Sequence, residues 1–217
     1  MRRAARDPAE LVVAVDASAA ALGAGFSQAA RRRLHNVLFV LAAAEDLPEE
    51  LDGSADEVRV QFPWGSLLRL VLDAGVGTGT DLLGRIATIL KPGGRLVLAL
   101  SIVPRDGVAE LAELDEPGAR ALLARIERRG DFAGGHVVPI NAAVTRTLHS
   151  TWASRLRVGH ERPGWLIETT CQARASQPRA TEARATEPAV TESPVVELPE
   201  GGVRTSGAAR RGCQPDR

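Results

Sequence analysis

Two tryptophans in this chain stand among residues suited to contact with a flat ring. In Phe62-Pro63-Trp64-Gly65-Ser66-Leu67-Leu68 a proline fixes the approach to the indole and a glycine releases the chain after it. In His149-Ser150-Thr151-Trp152-Ala153-Ser154-Arg155-Leu156-Arg157 the second indole lies amid hydroxyls and guanidiniums. Either tryptophan taken alone reads first as a core residue. Two of them, each beside small polar residues, suit the sandwiching of a nucleobase drawn out of its stack. Two acids carry a complementary chemistry. Asp16 ends the apolar run Leu11–Asp16, where a carboxylate can accept hydrogen bonds from ribose hydroxyls; a helix cap is an equally good reading. Glu45, in Ala44-Glu45-Asp46-Leu47-Pro48, can meet the edge of an adenine ring while Leu47-Pro48 supplies an apolar wall; a solvated acidic loop is the other reading.

Bulk properties narrow the partners. The 217 residues carry 27 basic and 27 acidic side chains, so no global field draws the chain to a polyanion, and such a partner must be met by a local patch. The apolar fraction of 44% supports a buried core, while aromatics at 3% make each tryptophan worth explaining. Cys171 and Cys213 form neither a disulfide framework nor a zinc site. His35, His136, His149 and His160 lack metal-ligand spacing, so no metal is expected. No apolar run reaches membrane-spanning length and the first residues contain no signal-peptide core, which predicts a cytoplasmic protein with no membrane partner.

The elements that must hold these residues alternate between strand and helix. Strands are expected at Leu11–Asp16 (a buried parallel strand by its continuous apolar run), Asn36–Ala42 and Glu57–Phe62. Ser18 caps an Ala-rich helix running to Arg33, and residues 66–72 and 80–90 read as helices. Lys91-Pro-Gly-Gly94 punctuates the chain before a strand from Arg95 to Leu100. A helix over about 116–129 places Ala119, Leu122, Leu123 and Ile126 on one face. A short edge strand follows at His136–Ile140, then one helix over about 142–157 and a last strand at Gly164–Thr170. The pattern is α/β and ends in an antiparallel pair. Arg31-Arg32-Arg33 and Arg128-Arg129 end helices, where cations suit the dipole. Trp165, inside the last strand, reads as core. From residue 174 the composition turns to Arg-Ala-Thr-Glu repeats, Pro and Gly with little to bury. This predicts one folded domain over 1–173 and a disordered tail over 174–217.

In this order and spacing, the Ala44–Pro48 loop, the Pro63–Leu68 corner and the Ser150–Leu156 segment resemble the kanamycin–apramycin resistance methyltransferases, over about residues 8–171. That family modifies N1 of an adenine in the decoding site of 16S ribosomal RNA. The resemblance implies a Rossmann-like class I fold, S-adenosylmethionine as cofactor, the small ribosomal subunit as partner and a monomeric enzyme. It would make Asp16 the ribose ligand and Glu45 the adenine contact, with Ala44 and Thr151 also on the cofactor side. Trp64 and Trp152 would stack the target base, Ser66, Ser150 and Thr151 would line its pocket, and Arg155 and Arg157 would approach RNA phosphate. The family begins with one more, central strand and an Asp-x-Gly-x-Gly-x-Gly loop, just before the segment matching Arg6-Asp7-Pro8. This chain is expected to lack both.

Val71-Leu72-Asp73-Ala74-Gly75-Val76-Gly77-Thr78-Gly79-Thr80-Asp81 imitates that loop locally. A cofactor loop calls for a following strand that ends in an acid, and Arg95–Leu100 is followed by Ser101. Two other functions stay open on sequence alone: an inactive remnant of the family, or a methyltransferase for another RNA or a small molecule.

Overall fold

The computed structural model describes residues 2–74, 81–108, 111, 113–148 and 150–173, without the side chains of Thr151, Trp152 and Ser154. The tail expected over 174–217, residues 75–80 of the imitation loop and His149 therefore lie outside the described residues. The elements in chain order are α1 (Arg2–Arg6), β1 (Val12–Asp16), α2 (Ala19–Arg31), β2 (Val37–Leu41), β3 (Ala55–Gln61), α3 (Gly65–Asp73), α4 (Leu82–Ile89), β4 (Leu90–Leu100), α5 (Glu116–Arg128), β5 (Phe132–Pro139), α6 (Ala142–Leu148), α7 (Thr151–Leu156) and β6 (Trp165–Cys171).

The strands form two sheets. β1 and β2 pair in parallel with Asp16 opposite Leu41, and the other four run in the order β3-β4-β6-β5. β3 and β4 are parallel, while β6 lies antiparallel to both β4 and β5. Among the described residues β1 and β3 each pair along one edge only. The carboxyl ends of β1, β2, β3 and β4 are where a parallel α/β sheet presents ligands, and they carry Asp16, the Ala44–Pro48 loop, the Trp64 corner and Ser101.

The core lies beneath the larger sheet. Leu96–Leu100 of β4 are at most 1% exposed, because helices cover the face and neighbours pair along both edges. On α5, Ala119, Leu122, Leu123 and Ile126 are all buried, as their spacing on one helical face requires. Asp115 caps that helix through the Gly118 amide at 2.8 Å. Burying each large aliphatic side chain of this kind contributes about 1.5–3 kcal/mol. A second, smaller cluster joins Phe62, Ala99, Ile140, Leu148, Ala153 and Val158.

Several expectations need correction. β1 is parallel but not buried: Val15 is 37% and the preceding Leu11 60% exposed. In this pair α2 supplies the helical cover, through an edge-to-face contact of Phe26 with Phe39 at 5.8 Å. Lys91-Pro-Gly-Gly94 does not precede β4 but lies within it, as an outpouching between the Ala55–Leu90 and Glu57–Arg95 pairs. Gly93 has φ +79° there, and a Cβ on Gly94 would sit 2.8 Å from the Lys91 carbonyl. The single helix expected over 142–157 is two, α6 and α7. β5 begins at Phe132 and is an edge strand as Pro139 suggests. Residues 71–73 are helical, so the imitation glycine loop follows a helix rather than a strand.

Candidate functional site

Asp16 closes β1 with its Oδ1 accepting the Ser18 amide at 2.8 Å. Ser18 in turn accepts the Ala21 amide at 3.3 Å and caps α2. Asp16 is exposed, and its backbone carbonyl accepts the Ala42 amide at 3.3 Å, which ties the two strand ends together. The helix-cap reading falls to Ser18 rather than to Asp16, whose carboxylate instead closes the turn before the cap. After β2 the chain turns at Ala43–Asp46, closed by the Asp46 amide on the Ala43 carbonyl at 3.0 Å. Glu45 and Ala44 are half-buried at that turn, and Ala44 packs on the main core. The two acids thus occupy adjacent strand ends of one parallel pair.

The first tryptophan corner is built on unusual backbone. Phe62 is buried, yet has φ +50°, and Gly65 has φ +58°. A bulky residue in the left-handed region is strained, and such strain gathers at functional sites. Here it bends the chain away from β3 at the Phe62–Ala99 hydrogen bond and turns it into α3. Pro63 is buried and Trp64, between it and Gly65, is 44% exposed. Ser66 is exposed on the first turn of α3.

The second corner is tied to the first. Gln61 Nε2 donates to the Leu148 carbonyl at 3.2 Å, linking the end of β3 to the end of α6. Phe62, Leu148 and Ala153 share the smaller core cluster, so the segments bearing Trp64 and Trp152 rest on one base. Ser150 Oγ accepts the Ala153 amide at 3.3 Å and starts α7, a capping role that the sequence reading did not foresee. Trp152 and Thr151 lie on that helix, their side chains outside the described residues. Arg155 and Arg157 are exposed; Arg157 has φ +52° and pairs with Glu161.

Three guanidiniums that the sequence reading missed or undervalued brace the fold. Arg162, 3% exposed, donates through Nε to Ser101 Oγ at 2.7 Å, through Nη2 to the Ser101 carbonyl at 2.7 Å and through Nη1 to Asp106 at 2.9 Å. Burial pushes the Asp106 carboxyl up, but the Arg162 hydrogen bonds and the Val103 amide outweigh it and hold the group below the ordinary carboxylate range. Arg129, read from sequence as suited to a helix dipole, donates to Asp81 at 2.6 Å and to the Ala74 carbonyl at 3.4 Å. Arg85 of α4 reaches the loop that follows β2. In sequence Arg85 shows only as a lone arginine within an apolar helix, Leu82-Leu-Gly-Arg85-Ile-Ala-Thr-Ile89, a pattern that a solvated guanidinium gives equally. His136 approaches Glu168 at 3.4 Å, and Trp165 donates to the Leu114 carbonyl at 2.8 Å within the core, as read from sequence. Among the described residues no His, Cys, Asp and Glu group could hold a metal ion, and no helix is long and apolar enough to cross a membrane.

Comparison with known proteins places this geometry. The family model for NpmA, 16S rRNA (adenine(1408)-N(1))-methyltransferase, matches residues 1–171. The 16S rRNA (adenine(1408)-N(1))-methyltransferase of Streptoalloteichus tenebrarius is 31% identical over 167 residues, covering 73% of this chain and 75% of the relative. A mutant of the corresponding enzyme from Catenulisporales acidiphilia, crystallised with its cosubstrate SAM, superposes with a TM-score of 0.64 at 27% identity, over 82% of each chain. The aminoglycoside resistance methyltransferase NpmB1 is 29% identical with a TM-score of 0.57, over 78% of this chain and 80% of its own. The α/β sheet is therefore of the Rossmann-like methyltransferase type, and the chain belongs to the NpmA family of 16S rRNA (adenine(1408)-N(1))-methyltransferases.

Proposed function

We propose that this protein methylates N1 of the decoding-site adenine in 16S ribosomal RNA, using S-adenosylmethionine, and thereby confers aminoglycoside resistance. The observation that carries the reading is Trp64, held half out of the surface at a strained strand-to-helix corner and joined through one small core to the segment bearing Trp152. Family membership supports the cofactor and the substrate. The residues present fit the adenosine half of the cofactor: an exposed acid ends β1, and a half-buried acid lies in the turn after β2.

When bound, S-adenosylmethionine supplies an electrophilic methyl carbon on a sulfonium. Adenine N1 already carries a lone pair, so no side chain has to remove a proton. The chain's task is alignment, which can account for several kcal/mol of barrier. Asp16 accepts hydrogen bonds from the ribose hydroxyls, Glu45 contacts the adenine edge, and Ala44 and Thr151 complete that side. Trp64 and Trp152 hold the two faces of the target base, with Ser66 lining its edge. Stacking of about 1–3 kcal/mol per base offsets part of the cost of drawing the nucleotide out. The methylated ring leaves as a cation, which indole faces also favour. Arg155 and Arg157 meet RNA phosphate, so binding weakens as salt rises. The protein works as a monomer on the assembled small subunit in the cytoplasm.

The test is primer extension across the decoding site of small subunits incubated with the protein and S-adenosylmethionine, since an N1 methyl group blocks reverse transcription. The expected result is a stop at the decoding-site adenine. Read-through on intact subunits, with a stop produced by a relative run beside it, overturns the reading.

A further inference from the structure

Arg85 sits one turn into α4, in a helix whose other residues are mostly buried and apolar. Its side chain is 17% exposed and points its donors at one loop. Nε and Nη2 donate to the Leu47 carbonyl at 3.2 and 2.8 Å, Nη2 also to the Pro48 carbonyl at 2.6 Å, and Nη1 to the Asp52 carboxylate at 2.5 Å. One helical turn on, the Thr88 carbonyl accepts the Gly53 amide at 2.9 Å. The loop between β2 and β3 is thus held from both ends of its second half by a single face of α4. Within the loop the Leu51 amide also donates to the Pro48 carbonyl at 3.2 Å, whereas the Leu47 carbonyl, outside any ladder, receives two donors from Arg85. Glu45 lies two residues before the first anchored carbonyl, in the turn that ends at Asp46.

We propose that Arg85 is a positioning residue for the cofactor site: it sets the turn carrying Glu45 at the height the adenine edge requires, through the Leu47 and Pro48 carbonyls. The inference rests on Glu45 being the adenine contact. A guanidinium is the side chain for this task, because its planar fork serves three acceptors at fixed angles, whereas an ammonium is a point charge on a flexible stem. A small displacement of the turn would take Glu45 out of reach of the adenine while leaving Asp16, on another strand, in place.

The experiment combines titration of S-adenosylmethionine and S-adenosylhomocysteine with amide hydrogen exchange of the unliganded protein, for wild type, Arg85→Met, Arg85→Lys, Glu45→Gln, Asp16→Asn and each Arg85 variant paired with Glu45→Gln. Arg85→Met is expected to weaken both ligands by about tenfold, and Arg85→Lys to recover part of the loss. In the double variant the two effects should not add, because Glu45 out of position has nothing further to lose. The Asp46, Leu51 and Asp52 amides should exchange faster in Arg85→Met without ligand. Unchanged affinity of Arg85→Met, or full additivity with Glu45→Gln, overturns the inference alone. Glu45→Gln and Asp16→Asn both at wild-type affinity overturn the cofactor reading beneath it. If Arg85→Met proves too unstable to titrate, Arg85→Lys carries the same comparison, and its additivity with Glu45→Gln is equally decisive.

Discussion

Asp16 ends β1 and Trp64 precedes α3, and the two are assigned opposite duties, which separate variants can distinguish. Trp64→Ala or Trp152→Ala is expected to abolish N1 methylation while S-adenosylmethionine affinity stays within about twofold, since each loses stacking of about 1–3 kcal/mol and the alignment of N1 with it. Trp→Phe should be milder, because part of the aromatic face remains. Asp16→Ala should instead weaken the cofactor. Primer extension and cofactor titration on the same preparations read both quantities, and full methylation by both Trp→Ala variants would strip these indoles of the stacking role. Asp16 was legible because it ends an apolar run and Trp64 because a proline and a glycine set it off after a strand, and the end of a parallel strand is where the fold presents side chains. Arg85 and Arg162 were not. Their partners lie 33–38 and 56–61 residues away in sequence, and a lone arginine looks alike in sequence whether its guanidinium meets water or a buried carbonyl.

At the scale of elements, the end of β4 and the approach to β6 are joined by Arg162 rather than by packing alone. Its guanidinium satisfies Ser101 and Asp106 together, with its side chain 2% and that of Asp106 7% exposed. Arg162→Met leaves a buried carboxylate and a carbonyl without their cation, and is expected to cost about 3–5 kcal/mol. Removing the charge as well, in Arg162→Met/Asp106→Leu, should restore much of that. Urea denaturation of the two variants checks it, and a loss below about 1 kcal/mol in the single variant would mean that water replaces the guanidinium. Where burial dictated the pattern the elements were legible: α5 shows the expected apolar face. The break between α6 and α7 was not, because no proline or glycine marks it. It comes from tertiary demands, with Gln61 holding the Leu148 carbonyl and Ser150 starting a new helix two residues on. The outpouching at Lys91–Gly94 was legible as glycine punctuation, but pairing on both sides absorbs it into the strand.

Across the whole folded unit, the β1–β2 pair is fastened to the larger sheet by charge at the end opposite the proposed site. Arg3 of α1 pairs with Glu10, just before β1, and with Glu57 of β3, while Arg59 and Arg95 converge on the same Glu57 carboxylate. Asn36 adds hydrogen bonds from the lead-in to β2 to the carbonyls of Ala4, Asp7 and Glu10 at 2.8–3.0 Å. Composition hid this, since equal numbers of acids and bases say nothing of where they meet. Burial pushes the Glu57 carboxyl up, but the hydrogen bonds and charges of Arg59 and Arg3 outweigh it and bring it from an ordinary 4.5 to about 2. A group depressed on folding contributes stability that is fully present above its unfolded value and lost as pH falls through its folded one. The stability difference between wild type and Glu57→Gln should therefore be constant above about pH 4.5, shrink below it and nearly vanish by about pH 2. Asp106, also held low, titrates in both proteins and cancels from the difference. Urea midpoints across that range measure it. A difference that stays flat down to pH 2 would mean that Glu57 is no more ionised in the fold than in the unfolded chain, and that the two sheets are held together by apolar contacts without it.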